Sequence, residues 1–327
     1  MKDILITGGA GYIGSQIAFD LIDKGYKISI IDNLSSGNKK LIPKKANFVK
    51  CDITNLKKIN TIFKKSNIDC VIHCAASISV EESIKKPKKY HSNNYLKTRK
   101  FINFCIKKKI KRYIFSSTAA VYKQSEKLKI KEKHHKNPNN PYGQSKLNCE
   151  NFLLKKKDIQ LFILRYFNVA GADDRLRTGP INDLKTSHLI KRIVQIYFKE
   201  RDELEIYGKN YKTLDGTAIR DFIHIKDLSY IHQNCLNFFK KKKRNFKYIL
   251  NCGYGIGYSV LEVVKAAKKI FNIKYKFSPQ RPGDCSQLIS NNNKVKKLFN
   301  MKLKKKILKN MIKSSINWEK HFRKKSN

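Results

Sequence analysis

The segment that most restricts the fold is Ile4-Leu5-Ile6 running directly into Thr7-Gly8-Gly9-Ala10-Gly11-Tyr12-Ile13-Gly14. An apolar β-branched run, glycines at 8, 11 and 14, and then helical spacing together demand a strand, a tight turn and a helix within a few residues of each other. Glycine lets the backbone turn sharply and approach a bound group closely. Unpaired N–H groups at the helix N-terminus then favour an anion beside the turn, a pyrophosphate in particular. A glycine triplet alone also serves as a plain structural turn, so a second landmark is needed. Asp32 supplies it, ending the run Lys27-Ile28-Ser29-Ile30-Ile31, 18 residues after Gly14. A carboxylate there accepts both adenosine ribose hydroxyls and repels a 2′-phosphate, which predicts NAD rather than NADP. The competing reading is a simple Asp turn before Asn33. Asp52-Ile53, after Asn47-Phe48-Val49, either borders the adenine or caps a helix over 55–63.

The alternation continues through Cys70-Val71-Ile72-His73, Tyr113-Ile114-Phe115-Ser116 and Leu161-Phe162-Ile163-Leu164-Arg165. Continuous apolar strands separated by helical stretches at 14–24 and 97–108 predict a doubly wound parallel α/β sheet of the Rossmann type, covering 1–168. After 168 the alternation weakens, and Gly, Asp, Asn and Thr gather at 171–186 and 208–217. A smaller α/β substrate-binding lobe is expected over 169–327, with Tyr248-Ile249-Leu250-Asn251 as a strand able to return to the main sheet. The basic runs at 240–244 and 304–306 read as solvated helix ends.

Charge is the oddity: 71 Lys plus Arg against 25 Asp plus Glu give a formal +46. Such a field attracts nucleic acid or anionic membranes. Lys, Asn and Ile, however, are enriched together along the whole chain, and the lysines fall mostly between apolar positions. That pattern predicts solvated faces and no specific nucleic-acid partner, although a basic surface would help collect a diphosphate substrate. The eight cysteines form no CxxC pair and read as reduced, mostly buried thiols, with no metal site. Met1 leads almost at once into the first strand, and no apolar run approaches membrane-spanning length. The expected location is the cytoplasm, with no membrane partner.

Tyr142-Gly143-Gln144-Ser145-Lys146 sets a phenol and an ammonium four residues apart, on one face if the stretch is helical, and Pro141 suits the helix start. A free Tyr, with a pKa of about 10, is a poor base at neutral pH. A neighbouring Lys cation and a positive nicotinamide ring would favour the phenolate. Ser116-Ser117-Thr118 lies at a strand's carboxyl end, where open α/β sheets bind ligands, so Thr118 could bond a substrate alcohol and relay its proton to Tyr142. The alternative for Thr118 is a local turn that satisfies backbone groups.

Together these residues and several further segments resemble the extended short-chain dehydrogenase/reductases, and within them the UDP-glucose 4-epimerase group. The segments are TGGAGYIG (7–14), DNLSSGN (32–38), VIHCAA (71–76), VEES (80–83), SSTAAVY (116–122), NPYGQSK (140–146), LRYFNVAGA (164–172), DGTAIRDFIH (215–224) and RPGD (281–284). The resemblance spans nearly the whole chain. It implies reversible epimerisation of UDP-glucose and UDP-galactose at C4′, through a transient 4-keto sugar and tightly held NAD, in a homodimer. It places Tyr142, Lys146 and Thr118 in catalysis. It implies that Gly8, Gly11, Tyr12, Ile13, Gly14, Asp32, Asn33, Asp52, Ile53, Asn93, Thr118, Tyr142, Lys146 and Phe167 line NAD. Thr118, Tyr142, Asn168, His188, Leu189, Tyr207, Arg220, Arg281 and Asp284 would then contact the UDP-sugar.

The chain departs from that group at Lys123, where Gly commonly follows Val-Tyr, and at Ile78, where some members carry Lys. His188 stands where some relatives have Asn. Related dehydratases resemble Thr-Asp-Glu where this chain has Thr118-Ala119-Ala120, which disfavours elimination of water. Decarboxylation of UDP-glucuronate is less strongly disfavoured, although its relatives also tend to carry an acidic residue there. Leu288 matches the position that gates bulky 2-acetamido sugars, which leaves UDP-N-acetylglucosamine as an alternative substrate. A nucleic-acid binder on the same scaffold rests on charge alone, and a silent NAD sensor is discouraged by the intact Tyr142, Lys146 and Thr118.

Overall fold

A computed structural model describes residues 1–123, 129–181, 188–242, 244–281, 284–301 and 307–324. The middle of the 281–284 segment, part of the 240–244 run and the 304–306 run lie outside the described residues. The strands, in chain order, are β1 (Asp3–Thr7), β2 (Lys27–Asp32), β3 (Asn47–Lys50), β4 (Cys70–His73), β5 (Arg112–Thr118), β6 (Gln160–Tyr166), β7 (Asn168–Ala170), β8 (Leu204–Tyr207), β9 (Ile219–His224), β10 (Phe246–Cys252), β11 (Gly257–Ser259), β12 (Tyr275–Ser278) and β13 (Gln287–Leu288). The α-helices are α1 (Tyr12–Ile22), α2 (Leu56–Lys65), α3 (Val80–Lys85), α4 (Pro87–Tyr90), α5 (Lys97–Lys107), α6 (Pro141–Leu154), α7 (Leu189–Tyr197), α8 (Ile225–Lys241), α9 (Val260–Lys268), α10 (Asn293–Phe299) and α11 (Leu308–Lys324).

Seven strands form one sheet in the order β10-β6-β5-β4-β1-β2-β3. It is a doubly wound α/β fold of the Rossmann type, with β1, β2, β3, β4 and β5 pairing in parallel. Strand order reverses between β1 and β4, and in such sheets the crevice outside the strands' carboxyl ends at that point receives ligands. Strand β6 is buried at all seven positions and β4 at all four, as expected of strands covered on both faces. The core joins Leu5, Ile31, Val71, Phe115 and Ile163 of the sheet to Ile59 and Ile62 of α2 and to Phe101, Ile102 and Cys105 of α5.

His73 ties the ends of β1 and β4 to α5. Its ring bonds Thr7 Oγ1 through Nδ1 at 2.8 Å and Thr98 Oγ1 through Nε2 at 2.9 Å, and it stacks against Phe101 and Phe115. Burial pushes its pKa down to about 3, so the ring stays neutral and the link does not titrate near neutral pH.

By its contacts the chain forms two units. The first comprises Met1–Tyr122, Lys136–Arg165 and Ser229–Leu250; the second comprises Lys123–His135, Tyr166–Leu228 and Asn251–Asn327. The first unit thus takes in 229–250, including most of β10. The physical reason is the sheet edge: Phe162 on β6 packs against Phe238 and Phe239 of α8 and against Phe246 and Tyr248 of β10, which draws 229–250 into the first unit. Residues 129–135 belong to the second unit through Ile130, whose amide donates to Ile289 O at 2.8 Å and whose carbonyl accepts from Asn251 Nδ2.

The second unit carries a four-stranded sheet, β11-β9-β13 with β7 also on β9, and a parallel β12–β8 pair. Asp221, fully buried on β9, accepts bonds from the amides of Tyr254, Gly255 and Ser290 and so fixes two loops to that strand. All eight cysteines are free; six are buried, and Cys74 and Cys285 are half-buried. Among the described residues no helix is long and apolar enough to cross a membrane.

Candidate active site

The first unit carries the glycine turn at the end of β1. Gly8 has φ +70°, which favours glycine, and its amide donates to Ile31 O at 2.8 Å. A Cβ on Gly14 would lie 2.3 Å from Gly8 O, so helix and turn meet at a distance only glycine allows. Gly11 is different. Its φ of −86° suits any residue, and a Cβ would meet only Gly8 O at 3.3 Å. Little in the protein requires glycine there, and no side chain caps α1. The turn thus leaves its backbone approachable in front of a helix N-terminus, as a dinucleotide's pyrophosphate needs. Tyr12 and Ile13 open α1, both half-buried.

Asp32 closes β2 facing this turn. Its Oδ2 accepts from Ala10 N at 3.0 Å and its Oδ1 from Leu34 N at 2.8 Å. Burial raises its pKa, against the pull of those two amides. Asn33 is exposed and accepts from Ser35 N. Ile53 is buried in the core. The alternative of Asp52 as helix cap does not hold: Asn55 caps α2, its Oδ1 accepting from Lys58 N. Asp52 Oδ1 instead accepts from the amide and hydroxyl of Thr54, and Oδ2 from Lys97 Nζ at 2.7 Å. The sequence placed the cap too early because Asp52 heads an Asx turn of its own.

Asn93 lies in a π-helical turn, His91–Leu96, and donates to Ser77 Oγ at 3.1 Å. The neighbouring Asn94, which sequence reasoning passed over, is the more connected of the two. Buried at 2% exposure, it accepts from Ser77 N and donates to Ser77 O and to Ser145 Oγ of α6. Neighbouring asparagines cannot be ranked by composition. The wide turn decides which one faces α6.

Asn140 caps α6, accepting from Gly143 N at 2.8 Å, and Pro141 occupies the first turn. A Cβ on Gly143 would lie 2.3 Å from Ala120 O, so the helix start presses directly on the turn of 119–121 after β5. That contact sets Tyr142 beside Thr118, whose side chain faces the phenol closely enough to act on its pKa. Thr118 Oγ1 accepts from Ala120 N at 3.1 Å, so the local-turn role holds and leaves the side chain beside Tyr142. Burial lifts the Tyr142 pKa above its ordinary value, and the Thr118 side chain pulls the other way.

Lys146 lies one turn further along the same face of α6. Its ammonium, 4% exposed, donates to Ser116 O at 2.8 Å and lies 5.0 Å from the centre of the Phe115 ring. Burial lowers its own pKa. The i, i+4 spacing fixes a shared helix face but not which strand-end group each side chain reaches.

The second unit gathers most of the residues expected on the nucleotide side. Arg220 of β9 donates through Nη1 to Cys285 O and through Nη2 to Asp284 Oδ1, both at 2.9 Å. Arg281 lies with its guanidinium 3.6 Å from the centre of the Tyr207 ring, a stacked cation–π contact. Tyr207 is held in turn by its hydroxyl, which donates to Glu205 Oε2 at 2.5 Å and accepts from Arg192 Nη1 at 3.1 Å. His188, exposed, is the residue before α7, and Leu189 begins that helix. Phe167 is buried, and Asn168 starts β7 opposite Phe222. Leu288 of β13 pairs with Arg220. Sequence reasoning missed Tyr211, 8% exposed, whose hydroxyl has no hydrogen-bond partner among the described residues and which feels the charges of Asp284, Arg220 and Arg281.

The glycine turn, Asp32 and the Tyr142–Lys146 helix beside a strand-end hydroxyl define a dinucleotide-binding α/β protein equipped for alcohol chemistry. The model of the NAD dependent epimerase/dehydratase family matches residues 4–253, and the chain belongs to that family. It is 38% identical to a UDP-glucose 4-epimerase of Azospirillum brasilense over 97% of this chain and 91% of that one. Its fold superposes with a TM-score of 0.94 on a UDP-glucose 4-epimerase of Stenotrophomonas maltophila, solved with NAD and formylated UDP-arabinopyranose, at 28% identity over 99% and 100% of the two chains. A UDP-Glc/GlcNAc 4-epimerase of Campylobacter jejuni aligns at TM-score 0.83 and 37% identity, over 98% and 100%.

Proposed function

We propose that this chain interconverts UDP-glucose and UDP-galactose by reversible oxidation at C4′. The observation that carries the reading is the meeting of Thr118 and Tyr142 at the end of β5, with Lys146 on the same helix face. Gly8, Gly11, Tyr12, Ile13 and Gly14 would hold the NAD pyrophosphate, and Asp32 with Asn33 the adenosine ribose. Asp52, Ile53, Asn93 and Phe167 would line the rest, with Lys146 on the nicotinamide ribose. NAD, when bound, supplies the redox chemistry, accepting hydrogen from C4′ and returning it.

Tyr142 takes the proton of the 4′-hydroxyl, and Thr118 bonds that hydroxyl and relays the proton. Burial keeps the phenol protonated in the chain alone, so it acts as a base once positive charge is bound beside it. A 4-keto sugar results, and return of hydrogen to its opposite face inverts C4′. Tyr142 then gives its proton back. Ala119 and Ala120, lacking any proton-transfer group, supply no acid or base at those two positions, which disfavours elimination of water.

On the nucleotide side, Arg220 and Arg281 would fork onto the diphosphate and Asp284 accept from ribose hydroxyls, with Asn168, His188, Leu189 and Tyr207 completing the contacts. The NAD- and UDP-sugar-bound Stenotrophomonas relative supports this ligand class. A second reading, turnover of UDP-N-acetylglucosamine, is favoured by the Campylobacter relative and by Leu288, smaller than a Tyr would be. A cytoplasmic homodimer completes the proposal. Assaying both substrate pairs at equal enzyme concentration tests it: UDP-galactose is expected to turn over about tenfold faster or better, and a strong preference for the N-acetylated pair would overturn the assignment.

A further inference from the structure

Tyr142, Lys146 and Glu150 are spaced four apart on α6, so they share one stripe of the helix. Each is held by a different one of three successive residues at the end of β5. The Thr118 side chain sits against the Tyr142 phenol. Ser116 O accepts from Lys146 Nζ at 2.8 Å. Ser117 Oγ donates to Glu150 Oε1 at 2.5 Å. Glu150 is also clasped by Arg165 of β6, whose Nε and Nη2 donate to its two oxygens at 2.9 and 2.5 Å. Arg165 Nη1 donates to the hydroxyl of Tyr122, the residue that closes the turn beginning at Thr118.

Arg165 is 0% exposed, Glu150 1%, Ser117 2% and Tyr122 4%. A fully buried ion pair is costly to desolvate, and apolar replacements of similar volume are often as stable or more so. Stability alone is therefore a poor reason for charge here. Geometry is a better one. A one-residue slip of α6 along β5 would move the phenol about 1.5 Å and turn it away, whereas a hydrogen bond tolerates only a few tenths of an ångström.

We infer that Glu150 and Arg165, with Ser117 and Tyr122, are positioning residues that fix the register of α6 on β5 and thereby hold Tyr142 against Thr118. This rests on Tyr142 being the acid–base residue. The pair touches no reacting atom; it acts through the helix and the strand end.

The test replaces the pair together, Glu150→Leu with Arg165→Met, so that no lone charge stays buried. The double variant is expected to melt within about 10 °C of the parent and to keep its KM for UDP-galactose within about twofold, while kcat falls roughly 10- to 100-fold. Amide exchange of the 141–147 segment, followed by mass spectrometry, is expected to quicken. A parental kcat or an unchanged exchange rate in the double variant would overturn the inference. Should that variant not fold, Ser117→Ala decides: it removes one link and is expected to lower kcat about threefold, and an unchanged kcat would overturn the inference. A parent chain inactive on UDP-galactose would count against the proposed reaction instead, and the exchange rates would still decide the positioning role.

Discussion

Tyr142→Phe is expected to lower kcat for UDP-galactose about 10³-fold, within the range that a positioned acid–base group supplies. The substitution removes one oxygen and keeps the half-buried ring, so the fold and NAD content should match the parent. KM should change little, because the phenol is needed when the proton moves and contributes little to holding the nucleotide. A rate within a few-fold of the parent would take the proton transfer away from Tyr142 and leave Thr118 as the residue to examine. The effect is expected to be large because the local design is specific. Gly143 brings the helix start against Ala120 O, and the Thr118 side chain already sits against the phenol.

The second large effect separates two glycines that look alike in sequence. Gly14→Ala puts a methyl 2.3 Å from Gly8 O, a backbone atom that cannot move without shifting the end of β1. Overpacking of this kind costs about 1–3 kcal/mol or more, a fall of roughly 3–10 °C in Tm for a chain of this size. Gly11→Ala meets only a 3.3 Å contact at ordinary φ, so its Tm should stay within about 2 °C of the parent. Its methyl would stand where the pyrophosphate approaches, and NAD recovered on denaturation should fall to about a tenth or less. Full NAD retention in Gly11→Ala would contradict the role given to the turn.

That contrast also shows where sequence stops being informative. The sheet was legible because its signals are local: β-branched runs of strand length, helical spacing between them, and glycines where a strand meets a helix. Pro141 after Asn140 marked the start of α6 for the same reason. What depends on tertiary partners was not. Asp52 was read as a possible cap, yet it heads its own turn and pairs with Lys97 some forty-five positions away. The spacing of Tyr142 and Lys146 indicated a shared helix face, but not that the Lys146 ammonium would donate to a carbonyl of β5. A second lobe was expected after 168 with a possible return strand at 248–251, but the aromatic packing around Phe162 that places the whole of 229–250 in the first unit carried no sequence signal. Asn94 and Tyr211 carry no sequence signal at all; burial and an unfilled hydroxyl single them out only in three dimensions.

The most direct measurement is the fate of hydrogen at C4′. UDP-galactose deuterated at C4′ is incubated in ordinary water with purified protein and no added NAD, and the sugar is followed by NMR. The account predicts UDP-glucose that retains the deuterium at C4′, because the same hydrogen leaves and returns without exchange with solvent. UDP-glucose that has lost the label to solvent, or no conversion by protein that releases NAD on denaturation, would contradict it.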